Sequence, residues 1–153
     1  MGTREGPAMS EVLQALFPGL RATPFRLTSP RARSYNCIGF AANDENNWWW
    51  PEGDAPTIYW PPGAPRELTV DAFAFVFVLL GYTIGGDDTH EPGIEKVALF
   101  ANAAGTPTHA ARQLASGRWT SKLGEAEDIE HELRALEGEI YGTVALVLKR
   151  ARQ

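Results

Sequence analysis

A chain of 153 residues, 44% of them apolar and 22% charged, suits one globular domain that buries about two thirds of its unfolded surface and needs no disulfide to hold it. The net charge of −5 offers no basic excess for a phosphate backbone, so nucleic acid is not an expected partner. The N-terminal region lacks the charged start and apolar run of a secretory signal, and no stretch reaches membrane-spanning length, so a cytoplasmic protein without a membrane partner is expected.

Residues 1–9 read as a flexible tail and residues 10–153 as a single domain. Ser10 is placed to cap a short helix, Glu11 to Leu16, that Pro18-Gly19 stops. Residues 18–34, with three prolines and four arginines, read as loop with a short extended piece around Phe25 to Leu27. Asn36 then serves as N-cap of a helix running through Phe40 to about Asn43, which puts Cys37 in the first turn.

Residues 43–66 hold four of the five tryptophans, in Asn47-Trp48-Trp49-Trp50-Pro51 and Tyr59-Trp60-Pro61-Pro62-Gly63. At that proline density no regular element is expected. Such an aromatic loop either walls a substrate cleft or plugs one end of the core, and tryptophans exposed together would favour the cleft.

Thr69 opens the second clear helix, with Asp71 in its first turn, Phe73, Phe77 and Leu80 recurring at helical spacing, and Gly81 as the stop. Residues 85–93 form a polar loop in which His90 is a surface residue. Strands follow: Lys96 to Ala101, Thr108 to Leu114 and Arg118 to Lys122, joined by turns at Gly105 and Gly117 into an antiparallel meander. After Gly124 an acidic stretch leads into an expected helix, Ile129 to Leu136, ended by Gly138, and Thr143 to Lys149 gives a last strand. On that helix His131 reads as a surface residue. Helices first and a sheet after is an α+β order.

The single cysteine and three scattered histidines make neither an internal bridge nor a zinc site, and neither metal nor cofactor is expected. A free cysteine is commonly inert core filler. A reactive one needs a base, a group that orients the base, and donors that await an oxyanion. Cys37 at a helix start supplies a nucleophile with its own N–H as a donor. His109, opening a strand, supplies the base, and Ser121, one hairpin later, the orienting group; Asp128 or His131 would take that place only if the fold brings them near. Alternation puts Gln113 on the face of His109 and Arg112 opposite. Tyr35 either donates toward the oxyanion or packs under the loop, and Lys122 either meets an acidic group or is solvated.

These segments resemble the papain-like superfamily, most closely its NlpC-like branch of small bacterial peptidases and amidases. That branch opens its nucleophile helix with Asp-Cys-Ser-Gly-(Phe or Leu)-Val, and this chain has Asn36-Cys37-Ile38-Gly39-Phe40-Ala41. In the branch a histidine then opens a strand, and a third polar residue follows about twelve positions on, in the next strand; here Thr108-His109-Ala110-Ala111 and Ser121 take those places. The chain is also similar to an uncharacterised bacterial family that carries Asn-Cys near a tryptophan-rich loop, then Thr-His-x-x-Arg-Gln-Leu and Trp-x-Ser-Lys-Leu-Gly, matched here by Thr108 to Leu114 and Trp119 to Gly124. Ser121 departs from the usual His, Asn or Gln, as Asn36 and Ile38 depart from the usual Asp and Ser.

The resemblance implies an α+β, papain-like (NlpC-like) fold with N-terminal helices packed on an antiparallel β-meander. It implies a cysteine peptidase, amidase or acyl transferase acting through Cys37, His109 and Ser121 on a peptide or amide substrate. Tyr35, Asn36, Trp48, Trp49, Trp60 and Gln113 are the expected substrate-binding residues. Two other functions fit the same residues: a non-catalytic binding or immunity-type module that holds a protein partner with the tryptophan loop, and an effector deamidase or protease.

Overall fold

The computed structural model describes residues 9–29, 32, 34–53, 56, 58–123 and 127–153; Gly124, expected to close the third strand of the meander, and residues 1–8 of the expected tail lie outside them. Helix α1 is Met9–Leu16, so Met9 belongs to it rather than to a tail, and the chain then takes one 3-10 turn over Pro18–Arg21. Leu13, Phe17 and Leu20 recur at helical spacing through both pieces and are buried. Strand β1 (Arg26–Ser29) extends the piece expected around Phe25 to Leu27. Helix α2 (Cys37–Ala41) is shorter than expected: its cap falls at Ala42, and Asn43 takes a positive φ of 69°.

The tryptophan-rich region does hold regular structure, contrary to its proline content. Strands β2 (Trp48–Trp49) and β3 (Ile58–Tyr59) pair in parallel, each ending two positions before a proline. Helix α3 (Val70–Leu79) is capped as expected, the Thr69 hydroxyl accepting the Ala72 N–H at 3.1 Å. It is apolar nearly all round, buries Phe73, Val76 and Phe77, and leaves Phe75, Val78 and Leu79 exposed.

Strand β4 (Thr83–Ile84) was not foreseen; β5 (Ile94–Ala101), β6 (Pro107–Gln113) and β7 (Trp119–Lys122) match the expected meander closely. The expected helix over Ile129 to Leu136 is a different structure. Strand β8 (Asp128–His131) pairs antiparallel with β7, and only a 3-10 turn, Leu133–Leu136, follows. Ile129 and His131 alternating with the acidic Asp128 and Glu130 suits a strand better than a helix face. Strand β9 (Thr143–Ala151) returns beside β5.

The seven-stranded sheet runs β1-β8-β7-β6-β5-β9-β4 with every pair antiparallel. This is a mixed α+β fold dominated by an antiparallel sheet. Strand β5 lies between β6 and β9 and is buried on both faces, which is why Val97 to Ala101 is unbroken in apolar residues. Val97 and Leu99 pack toward α2, α3, Trp49 and Trp60, while Ala98 and Phe100 pack toward α1, Trp119 and Leu136. Among the described residues no helix is long and apolar enough to cross a membrane.

One detail of the sheet sets up the site. Strands β6 and β7 pair at Arg112↔Thr120 and Gln113↔Trp119 and then part toward the start of β6. Helix α2 packs against both strands there.

Candidate active site

Asn36 builds the entrance to α2. Its Oδ1 accepts the Gly39 N–H, the N-cap bond, and also the Trp49 N–H, both at 3.0 Å, while its Nδ2 donates to the Trp49 carbonyl at 2.8 Å. One side chain therefore caps the helix and tethers the tryptophan loop to it. Asp44 fixes the other end of that loop, accepting the Trp49 indole N–H at 2.8 Å and the Asn46 N–H at 2.7 Å. Burial pushes its carboxyl pKa up, but the surrounding donors of Asn47, Trp49 and Asn46 outweigh burial and leave it below the ordinary value. Gly39 is needed because a Cβ there would lie 2.7 Å from the Asn47 carbonyl oxygen. The Cys-x-Gly spacing is thus a packing requirement: it lets the loop close over the helix that carries the thiol.

Cys37 stands at the first position of α2, with 8% of its surface exposed. Its sulfur meets the backbone N–H of Ala110, on the strand edge that β7 leaves open, as well as those of Ile38 and Cys37 itself. Burial dominates over these donors and pushes the thiol up to about 11. At neutral pH the resting group is a thiol.

His109 is the residue next to Ala110, and it is fully buried. By strand alternation it leaves β6 on the opposite face from Ala110, among Phe100 and Tyr141; the Tyr141 ring stacks on the imidazole with centroids 4.0 Å apart and planes 10° apart. Its Nε2 lies 2.9 Å from Ser121 Oγ, and the same oxygen lies 2.7 Å from His131 Nε2. His131 Nδ1 is 2.7 Å from the Glu132 carbonyl oxygen. His109 Nδ1 is buried with no hydrogen-bond partner, so no such bond joins it to Cys37. Burial, then the neighbouring His131, hold His109 well below the ordinary histidine range; burial likewise lowers His131 to about 4 against the pull of the Glu132 carbonyl.

A cavity of about 280 Å³ opens on Cys37 and is lined by Asn36, Cys37, Trp48, Trp50, Thr108 and Tyr141. Tyr141 links the two halves of the site, since it stacks on His109 and shares this cavity with Cys37. Burial first, and then the nearby Cys37 sulfur, raise its hydroxyl far above the ordinary value. Gly142 makes that placement feasible: its φ is +77°, and a Cβ would run into the Ala101 carbonyl.

The structure brings His109 to Ser121 and places Asn36 and Trp48 with Cys37 at the cavity, and Tyr141 stands between the two groups. The other expected lining residues sit elsewhere. Tyr35 is buried, stacks on Phe40, lies under Lys122 at 5.2 Å, and commits its hydroxyl to Asp128 at 2.8 Å, which leaves packing as its observed role. Trp49 is held by Asp44 and set edge-on to Tyr59, and Trp60 packs on Phe73 with its indole on the Pro65 carbonyl. Gln113 shares the face of His109 but lies at the far end of β6, lining a separate cavity with Trp119 and donating to the Gly117 carbonyl at 3.1 Å.

Two contributors were missed from the sequence, and a third, His131, was named only as a substitute for Ser121. Trp50 lines the cavity, and its partner Phe73 on α3 could not be paired with it by spacing. Tyr141 sits between Ile140 and Gly142, and that glycine was its only signal. His131 is the plain correction: it is fully buried and hydrogen-bonded, not a surface residue on a helix, and the alternation in Asp128-Ile129-Glu130-His131 was the pattern that carried it.

Fold and site together define a mixed α+β domain in which a cysteine-bearing helix meets an antiparallel sheet at a splayed strand pair. The chain belongs to the family described as Domain of unknown function (DUF7689), whose model matches residues 26–149, the span from β1 to the last strand. No curated protein and no solved structure matches it.

Proposed function

We propose that this protein is a papain-like cysteine hydrolase or acyl transferase acting on an amide-type bond whose acyl side is uncharged. The observation that carries the reading is the state of His109: Nε2 is held on Ser121, Nδ1 is buried and unpartnered, and the Tyr141 ring stacked on the imidazole also lines the Cys37 cavity. A buried polar atom without a partner is costly unless a task needs it open. In this reading Cys37 Sγ attacks the carbonyl carbon, its proton passes to His109 Nδ1 as the two close on bound substrate, and the oxyanion is received by the Cys37 N–H. The tetrahedral adduct collapses to a thioester as His109 returns the proton to the leaving amine; water or an acceptor amine then releases the acyl group. With the thiol raised and the imidazole lowered, the resting pair is neutral, so the proton moves with the attack rather than before it.

The cavity wall supports the substrate class. Trp48, Trp50 and Tyr141 offer flat apolar surface, and none of the described residues that line it is charged. The binding-module reading draws on the raised thiol, which is the signature of an inert cysteine. Labelling of Cys37 by iodoacetamide at pH 7.5 separates the two. His109→Ala should label about a hundredfold more slowly than wild type, the size of a general-base contribution. Equal rates would leave the enzyme reading without its base and return the cavity to the module.

A further inference from the structure

We infer that His131 is a positioning residue that sets the tautomer of His109 through Ser121; the inference rests on the hydrolase reading only for its effect on Cys37. Its starting point is an atom that has no choice of role. The Glu132 carbonyl can only accept, so His131 Nδ1, 2.7 Å away, carries a proton and donates it. His131 is neutral, because its full burial outweighs the pull of the Glu132 carbonyl and of the Glu130 carboxylate, so its Nε2 is bare and accepts. The atom at 2.7 Å from that nitrogen is Ser121 Oγ, whose single hydrogen is thereby used. Ser121 Oγ must then accept from His109 Nε2 at 2.9 Å, which leaves the His109 Nδ1 lone pair free.

The polarity of the whole line, from a backbone carbonyl to a bare Nδ1, follows from one fixed end. Without His131 the Ser121 hydroxyl has no acceptor on that side and can turn to donate to His109 Nε2. That turn would place the proton on Nδ1, where it blocks the base. A single serine has no preferred direction; a serine backed by a neutral imidazole whose own proton is committed has only one.

Ring-nitrogen NMR of the histidine-labelled full chain tests this directly, with His109→Gln used to assign the signals. The wild type should show His109 protonated at Nε2 and bare at Nδ1, and the opposite tautomer would overturn the inference whatever Cys37 does. His131→Phe, similar in bulk but without an acceptor, should give mixed or reversed His109 tautomers and slow Cys37 labelling at pH 7.5 about tenfold. His131→Gln, which keeps one acceptor and one donor, should restore the wild-type tautomer and a rate within about threefold. An unchanged tautomer in His131→Phe would also overturn it, and urea unfolding of each variant separates loss of fold from loss of polarity. If His109→Ala labels as fast as wild type while the tautomers behave as stated, the hydrolase reading fails and the positioning role stands.

Discussion

Two buried polar arrangements flank the start of β6, and they differ in one respect that matters. The Asn36–Trp49–Asp44 arrangement is short in sequence, spanning residues 36–49, and each side-chain nitrogen and oxygen of those three residues has a partner. The His109–Ser121–His131 arrangement joins three strands and ends in one nitrogen with none. The first has the completeness expected of a structural tie, in which an unmade bond only costs stability. The second is complete everywhere except at the atom a nucleophile would need. Within this pair of arrangements, saturation fits a scaffold and the vacancy at His109 Nδ1 fits the proposed base.

The comparison breaks first at the vacancy. His109→Ala should cost about 3 kcal/mol of barrier height, a hundredfold in labelling rate. It should leave the loop untouched, read as an unchanged near-ultraviolet tryptophan spectrum. Asn36→Ala should do the reverse in kind. It strands the Gly39 N–H and both backbone groups of Trp49, and unfolding in urea should show a loss of about 3 kcal/mol from a cap and unmade buried bonds. A loss below about 0.5 kcal/mol would mean water replaces those bonds and that the tie is not structural.

The two arrangements also differ in how far the sequence reveals them. The Asn36 cap was legible because capping is local: a polar residue before an apolar run, with its acceptor three positions on. Cys37, His109 and Ser121 were legible as a set because one helix start and one hairpin fix their order. His131 was not, because its meaning depends on the strand partner it receives. Read alone, Asp128 to Leu136 has the acidic composition of a helix, and only pairing with β7 turns His131 inward beside Trp119. Trp48, Trp49, Trp50 and Trp60 were legible as a group but not singly. Which indole lines the cavity and which fills the core depends on α3, twenty or more residues away from the last of the three consecutive tryptophans.

Acid sharpens the contrast, because only one arrangement contains histidine. His109 and His131 resist protonation in the folded chain, His131 down to about 4, whereas the unfolded chain takes up protons near 6.5. Between those values the unfolded state binds more protons, so stability is full above about 6.5 and falls as pH falls through the window. At pH 5 the loss should approach about 2 kcal/mol per histidine, measured as the shift in urea midpoint from pH 7.5. His131→Gln should remove roughly half of that dependence. Asp44, with its pKa lowered from 3.8, adds its own loss only at still lower pH, so a wild type whose stability is flat from pH 7.5 to 5 would mean the histidines are not buried neutral.

The smallest expected effect separates tryptophans that share a loop. Trp60 packs on Phe73 and gives its indole N–H to the Pro65 carbonyl at 3.0 Å, away from the cavity, whereas Trp50 meets the same Phe73 edge-on and also lines the cavity. Trp60→Phe keeps the ring contact and removes one hydrogen bond, so stability should fall by about 1 kcal/mol with Cys37 labelling unchanged. The Trp50 indole makes no hydrogen bond among the described residues, so Trp50→Phe chiefly opens the cavity wall beside the thiol. Its signature should be a changed preference among neutral acyl probes at nearly constant stability. If Trp60→Phe altered probe preference as much as Trp50→Phe did, the loop would be acting as one flexible wall, and the division between scaffold and site would have to be drawn at α3 instead of within the loop.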